Sequence, residues 1–209
     1  KLDENEVSDN KIMVANMIIY GRRASRTIKA KSWIQGISKS FTEFLAPARE
    51  KGTKMLKLKD ELWTYTPETD RIIKISGHML RQSVMGSDLS YEDMMEDPLL
   101  QNLYTAEVTG EDTMIKRPCW ILELTAKSSD VAYHSRKIWV DKEHFVVLKE
   151  ERYATSGTLL KSLEVKKLIQ TDGRWVQSAM VFRDVLKEGE GTELLIDSIW
   201  YNSKIPDYI

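Results

Sequence analysis

A chain of 209 residues can bury one sizeable core and devote it to a single large sheet. It is 42% hydrophobic and 30% charged, and its 31 basic residues are matched by 32 acidic ones for a net charge of −1. That balance lacks the clustered positive field of a duplex-binding protein and excludes nucleic acid as a partner. No run of ~18 apolar residues is present to span a bilayer as a helix, and a single cysteine, Cys119, rules out an intrachain disulfide.

Residues 1–10 are polar and charged, and are expected to be a frayed remnant outside one domain spanning residues 11–209. The chain starts at Lys1 and shows no basic-then-apolar leader, so a processed product whose export signal has been removed is expected. Ile12, Val14 and residues 17–20 make a first strand, residues 25–34 a second, and residues 37–45, with Phe41 and Phe44, a third. In the stretch that follows, Leu56 and Leu58 share a face opposite Lys57 and Lys59, Trp63 and Tyr65 share a face, and so do Ile73 and Ile75. Asp60-Glu61 and residues 67–70 interrupt that alternation, which predicts strands at 55–58, 62–66 and 71–75.

The period of two stops after Gly77. Met79, Met85, Met94 and Met95, four of the nine methionines, fall between positions 79 and 95. Unbranched thioethers either fill an irregular core or form an adaptable surface such as a lid over a sheet. Ser90-Tyr91-Glu92-Asp93 reads as a capping box opening a short helix over 91–96. The acidic cluster of Glu92, Asp93, Glu96 and Asp97 is expected to cap and solvate that helix from its exposed side. After a helical turn at 99–103 the strand pattern resumes at 104–109, 119–125, 136–140, 145–153, 159–169, 175–186 and 192–201. Asp172-Gly173 supplies the positive φ of a two-residue hairpin loop. Roughly eleven to thirteen strands with one helical interruption predict a mainly β (α+β) fold. Its form would be a single curved antiparallel sheet that twist rolls into an unclosed β-barrel, with a short helical lid over an apolar concave face.

No catalytic constellation survives inspection. Gly36-Ile37-Ser38-Lys39-Ser40 fails as a nucleophile elbow, Gly189-Glu190-Gly191-Thr192 lacks the lysine of a P-loop, and His78, His134 and His144 have no ligand spacing. No catalytic residue, metal or cofactor is therefore assigned. Cys119, beside Trp120 in a strand-like run, reads as a small buried hydrophobe. The residues expected to line an apolar lipid-binding face are Trp63, Tyr65, Ile73, Ile75, Trp120, Leu122 and Leu124 on strands, with Met79, Met85, Met94 and Met95 on the lid.

FLAPAREKGTK at 44–54, LWTYTP at 62–67, MLRQSVMGSDLSYEDM at 79–94, CWILEL at 119–124, SRKIWVD at 135–141 and DVLK at 184–187 together carry a resemblance. The chain resembles the outer-membrane lipoprotein-sorting proteins, the LolA-like group. That resemblance implies an unclosed barrel with a helical lid and a hydrophobic cavity, an exported precursor and residence in the periplasm. It also implies carriage, without catalysis, of lipid or lipoprotein acyl chains, with an inner-membrane transporter and an outer-membrane acceptor as partners. An arginine tying the lid to the barrel is expected too, with Arg49, Arg71 and Arg81 as its candidates. The function expected is thus a periplasmic carrier or chaperone. The alternative is an envelope sensor or adaptor that binds a membrane transporter or signalling partner through the same fold.

Overall fold

The structure is a computed structural model that describes residues 1–3 and 8–209. Part of the expected N-terminal remnant, residues 4–7, lies outside the described residues. A first meander comprises β1 (Asn10–Tyr20), β2 (Ser25–Gln35), β3 (Lys39–Ala46), β4 (Lys54–Leu58), β5 (Glu61–Thr66) and β6 (Arg71–Ile75). The lid follows, with 3-10 turns at Gly77–Arg81 and Val84–Gly86, α1 (Tyr91–Met95) and α2 (Leu100–Leu103). A second meander comprises β7 (Tyr104–Met114), β8 (Arg117–Ala126), β9 (Ser135–Asp141), β10 (Val147–Tyr153), β11 (Leu159–Thr171), β12 (Arg174–Asp184) and β13 (Gly191–Tyr201).

Among the described residues these strands form one 13-stranded sheet, ordered β6-β5-β4-β3-β2-β1-β13-β12-β11-β10-β9-β8-β7. Every pairing is antiparallel, and only β1 with β13 joins strands distant in sequence. The sheet is not closed: β6 and β7 are its two edges, and the lid is the stretch of chain that runs from one edge to the other.

Local chemistry sets the turns. Asp172 and Gly173 both take positive φ, 49° and 75°, as the two-residue loop between β11 and β12 demands. Gly191 is required by close approach, because a Cβ there would stand 2.5 Å from the Phe182 carbonyl oxygen on the neighbouring strand.

Of three core patches among the described residues, two lie against the lid. Beneath its first half, Met17, Ile28, Phe44, Met55, Leu62 and Ile75 pack with Val84 of the lid, and Met79, Met85, Leu89 and Met95 close over them. Beneath its second half, Tyr104, Leu124, Ile138 and Val140 pack with Leu100, Leu103 and Leu122. Leu62 is 2% exposed whereas Ile72, on the other face of the edge hairpin, is 71% exposed. Leu62→Ala is therefore expected to destabilise the protein by about 2–5 kcal/mol and Ile72→Ala to stay within ~0.5 kcal/mol. Chemical denaturation of both variants checks this, and equal losses would contradict the assigned faces.

Candidate binding site beneath the lid

The hairpin register divides the expected lining residues between two faces. Leu62 stands opposite Ile75 and Thr64 opposite Ile73, so Trp63 pairs with Lys74 and Tyr65 with Ile72 on the other side. Ile75 is buried in the core beneath the lid, and Ile73 shares its face at the open edge, 44% exposed. Trp63 and Tyr65 point away from the lid, correcting the expectation of one shared concave face. With Phe41, Leu56, Leu58 and Ile72 they border an outward groove of about 460 Å3. Lys74 lies 5.7 Å from the Trp63 ring centroid and Lys54 5.9 Å from that of Tyr65. Period-two alternation separates faces within a strand, but parity across the 67–70 turn decides which faces coincide.

Trp120, Leu122 and Leu124 stay together on the lid side. Their register partners are Val140, Ile138 and Arg136, and Leu122 and Leu124 pack with α2 while Trp120 lies 5.7 Å from Phe145. Met79, Met85 and Met95 pack on the core, and Met94 is 37% exposed. Cys119 is fully buried, and burial pushes its thiol pKa up.

The chemistry that stands out was missing from the sequence reading. Arg136, Arg152 and Lys161 are directly opposite one another on β9, β10 and β11, three cations in one cross-strand row. In the adjacent row Ile138, Glu150, Leu163 and Phe182 follow one another. Like charges placed directly opposite repel, so such a row needs anions from outside it. The lid supplies them. Asp93 accepts hydrogen bonds from Arg152 Nη1 at 2.9 Å, from Lys161 Nζ and from the Tyr133 hydroxyl at 2.5 Å, and Glu96 pairs with Arg136. Glu150 bridges the guanidinium groups, accepting from Arg136 Nη1 at 2.6 Å and Arg152 Nη2 at 3.0 Å. The result is an alternating chain of charge, Lys161, Asp93, Arg152, Glu150, Arg136, Glu96, three of each sign.

The acidic cluster thus does more than solvate a helix. Asp93 completes the expected capping box, with the Ser90 N–H donating to its carboxylate at 2.7 Å and its own N–H donating to Ser90 Oγ at 3.3 Å. Its side chain is nevertheless only 3% exposed, and that of Glu96 14%. Asp97 caps the next helix rather than the expected one, accepting from the Leu99 N–H at 2.9 Å and Asn102 Nδ2 at 2.8 Å at the start of α2. Arg49, Arg71 and Arg81 are all exposed, and the arginines that pair with lid carboxylates are Arg136 and Arg152 among the described residues.

Burial pushes the Asp93 carboxyl pKa up, but Arg152 and Lys161 outweigh it and bring the pKa down to about 2. Glu150 is likewise held low against burial by Arg152 and Arg136. Burial brings Arg136 down to about 10 and raises Tyr104 to about 12. Burial, and then the neighbouring Asp93 charge, raise Tyr133. At neutral pH Asp93, Glu150, Arg136 and Arg152 are therefore charged.

Further contacts seat the rest of the lid. Asp88 accepts from Thr192 Oγ1 at 2.6 Å and from the Asp184 N–H at 3.0 Å, while Lys57 donates to the Met95 carbonyl at 3.2 Å. Arg26 donates to the Met85 carbonyl, and Lys187 to Ser83 Oγ and the Ser87 carbonyl.

Between the ion chain and the apolar wall lies a cavity of about 270 Å3. It is lined by Asp93, Glu96, Arg136, Glu150 and Arg152 together with Leu100, Ile138, Leu163, Met180 and Phe182. That is close to the lower bound of ~300 Å3 for small-molecule sites. A larger recess of about 630 Å3 opens beside it, bordered by Lys57, Lys59, Glu92, Glu96 and Asp97. Among the described residues, no group of three or more His, Cys, Asp or Glu is arranged to hold a metal ion, and no helix is long and apolar enough to cross a membrane.

Two predictions follow from the ion chain. Asp93 ionises more readily folded, at about 2, than at its ordinary 3.8. Its contribution, ~2 kcal/mol, should be complete above pH ~4 and lost as pH falls through ~2. Denaturation of wild type and Asp93→Asn across that range checks the sign: their stability difference should shrink on acidification, and a widening gap would refute the assignment. Arg152→Ala, which leaves Asp93 and Glu150 without their shared partner, should cost about 3–5 kcal/mol, and Arg81→Ala under ~0.5 kcal/mol. The same denaturation assay reads both.

The geometry can be set beside known proteins. A family model whose description is of an uncharacterized-protein-like family matches residues 36–209. A DUF1329 family protein from Desulfovibrio piger is similar at 26% identity and a TM-score of 0.88, over 99% of this chain and 91% of that one. A putative outer membrane lipoprotein-sorting protein domain from Vibrio parahaemolyticus is similar at 25% identity and a TM-score of 0.80, over 95% and 88%. A LolA superfamily protein from Nitrosomonas europaea, at 21% identity and a TM-score of 0.78 over 99% and 93%, shares the fold. No curated protein matches the chain. With the family model matching residues 36–209, the chain belongs to that family, and its unclosed sheet has a LolA-like fold.

Proposed function

We propose that this protein is a periplasmic carrier that holds the acyl chain of a lipid or lipoprotein beneath its lid, without catalysis. It would pass that cargo from an inner-membrane transporter to an outer-membrane acceptor. The observation that carries the reading is the amphipathic cavity under a lid joining the two edges of an unclosed sheet. Each CH2 withdrawn from water contributes about 0.8 kcal/mol, so a short apolar trough holds a chain firmly.

Within this reading the lining is Leu100, Ile138, Leu163, Met180 and Phe182, continued by Leu122 and Leu124 along β8 and by Met79, Met85 and Met95 under the lid. Methionines packed on a core they do not rigidly specify can rearrange around chains of differing length. Trp63 and Tyr65 border the outward groove, and that groove favours the second reading, an adaptor docking a protein partner on the face away from the lid.

Native mass spectrometry of protein purified from its own envelope, followed by uptake of a fluorescent fatty acid, tests the proposal. Wild type should retain or take up acylated molecules. Leu100→Glu and Met180→Glu should lose uptake while staying folded, and Trp63→Glu, outside the cavity, should keep it. Wild type that takes up no acyl chain, or uptake lost only in Trp63→Glu, would sink the carrier reading.

A further inference from the structure

The charge chain belongs to two bodies that separate when the lid lifts. Arg136, Arg152, Lys161 and Glu150 stand on the sheet, and Asp93 and Glu96 on the lid. Seated, the six charges cancel. Unseated, the sheet keeps three cations in one cross-strand row against the single carboxylate of Glu150 in the next. Asp184 is opposite Lys161, but its carboxylate accepts the Leu186 N–H at 3.1 Å. Within the row Asp184 answers only Lys161 at its far end, and no carboxylate of the row stands beside Arg136 or Arg152 to relieve their repulsion.

Arg136 points to the same conclusion independently. Its side chain is 2% exposed and lines the cavity, yet among the described residues its buried Nε has no hydrogen-bond partner. A guanidinium presents a rigid fork of donors matched to carboxylate and phosphate oxygens. Two residues further along β9 on the same face is Ile138, followed across the sheet by Glu150, Leu163 and Phe182, so the cationic row borders a row that is apolar but for the Glu150 carboxylate already shared by Arg136 and Arg152.

We infer that the cavity takes an amphiphile with an anionic headgroup, carboxylate or phosphate. The headgroup sits on Arg136, Arg152 and Lys161, and the acyl chain lies along Ile138, Leu163 and Phe182. Asp93 and Glu96 hold the headgroup's place in the closed protein, so cargo and seated lid compete for the same cations. This rests on the carrier reading above and adds the headgroup class and the means of release. One headgroup anion and Glu150 then face the three cations in place of the two lid carboxylates and Glu150, so the desolvation cost of the cations is largely kept and burial of the chain decides the exchange. A neutral headgroup would leave the row unneutralised, which selects against it.

The test is displacement of an apolar fluorescent probe from the full chain by ligands of matched chain: palmitate, its methyl ester, palmitoyl lysophosphatidylglycerol and palmitoyl lysophosphatidylcholine, with glycerol phosphate as the headgroup alone. Wild type should bind the two anionic amphiphiles about tenfold more tightly than the ester and the zwitterion. Arg152→Gln should reduce that preference to within about twofold. The paired change Asp93→Asn with Glu96→Gln, which removes the competitors and spares the row, should tighten the anionic ligands alone. Hydrogen exchange at Ser90 to Glu96 should speed up when lysophosphatidylglycerol binds wild type. Equal binding of charged and uncharged amphiphiles would overturn the headgroup inference and leave the carrier reading standing. Failure of every acyl ligand to bind would overturn both. Glycerol phosphate binding as tightly as the lysolipid would replace the amphiphile with a free anion and overturn the proposed cargo.

Discussion

Pairing of β1 with β13 joins the two meanders into one sheet, and the lid exists because of it. Once those strands pair, β6 and β7 become the outer edges, and the chain between them has to travel from one edge to the other. Right-handed twist accumulated over so many strands curls the sheet. The connection therefore spans a concave face, and its apolar residues find a core beneath them instead of solvent. The lid is thus made from what another fold would spend as a loop.

Apolar packing at both ends of the lid and buried ions in its middle do different physical work. The methionines and leucines supply non-directional burial that tolerates sliding. The ion chain from Lys161 to Glu96 supplies little net attraction, since stripping water from charges offsets most of what their pairing returns, but it penalises any seating that leaves one charge unmatched. A lid positioned by such contacts has one closed register and can still leave it. Carriage needs that combination, because a lid held only by apolar packing would either slip or stay shut.

Much of the fold was legible in sequence because its determinants are local. The short turns, the Asp172-Gly173 hairpin loop, the Ser90 capping box and the strand alternation each lie within a few residues, and the structure forms them where expected. Less of the site was legible. Arg136 does stand in register with buried Ile138 and Val140, and Glu150 and Arg152 alternate along β10, so charges on an inward strand face were a readable signal. No local spacing leads from the lid to these residues, because the partners of Asp93 on the rest of the molecule lie 40, 59 and 68 positions away.

By itself, then, the sequence determined the class of fold, the strand ladder, the place of the lid and its helix cap, because periodicity and turn chemistry act between near neighbours. Tertiary structure decided which strand faces look inward, separating Trp63 and Tyr65 from Ile73 and Ile75, since that depends on pairing parity across a turn. It also decided that Asp93 and Glu96 are buried counter-ions and not solvated surface. A carboxylate's partner is chosen by proximity in space, and only the curled sheet brings β9, β10 and β11 against α1.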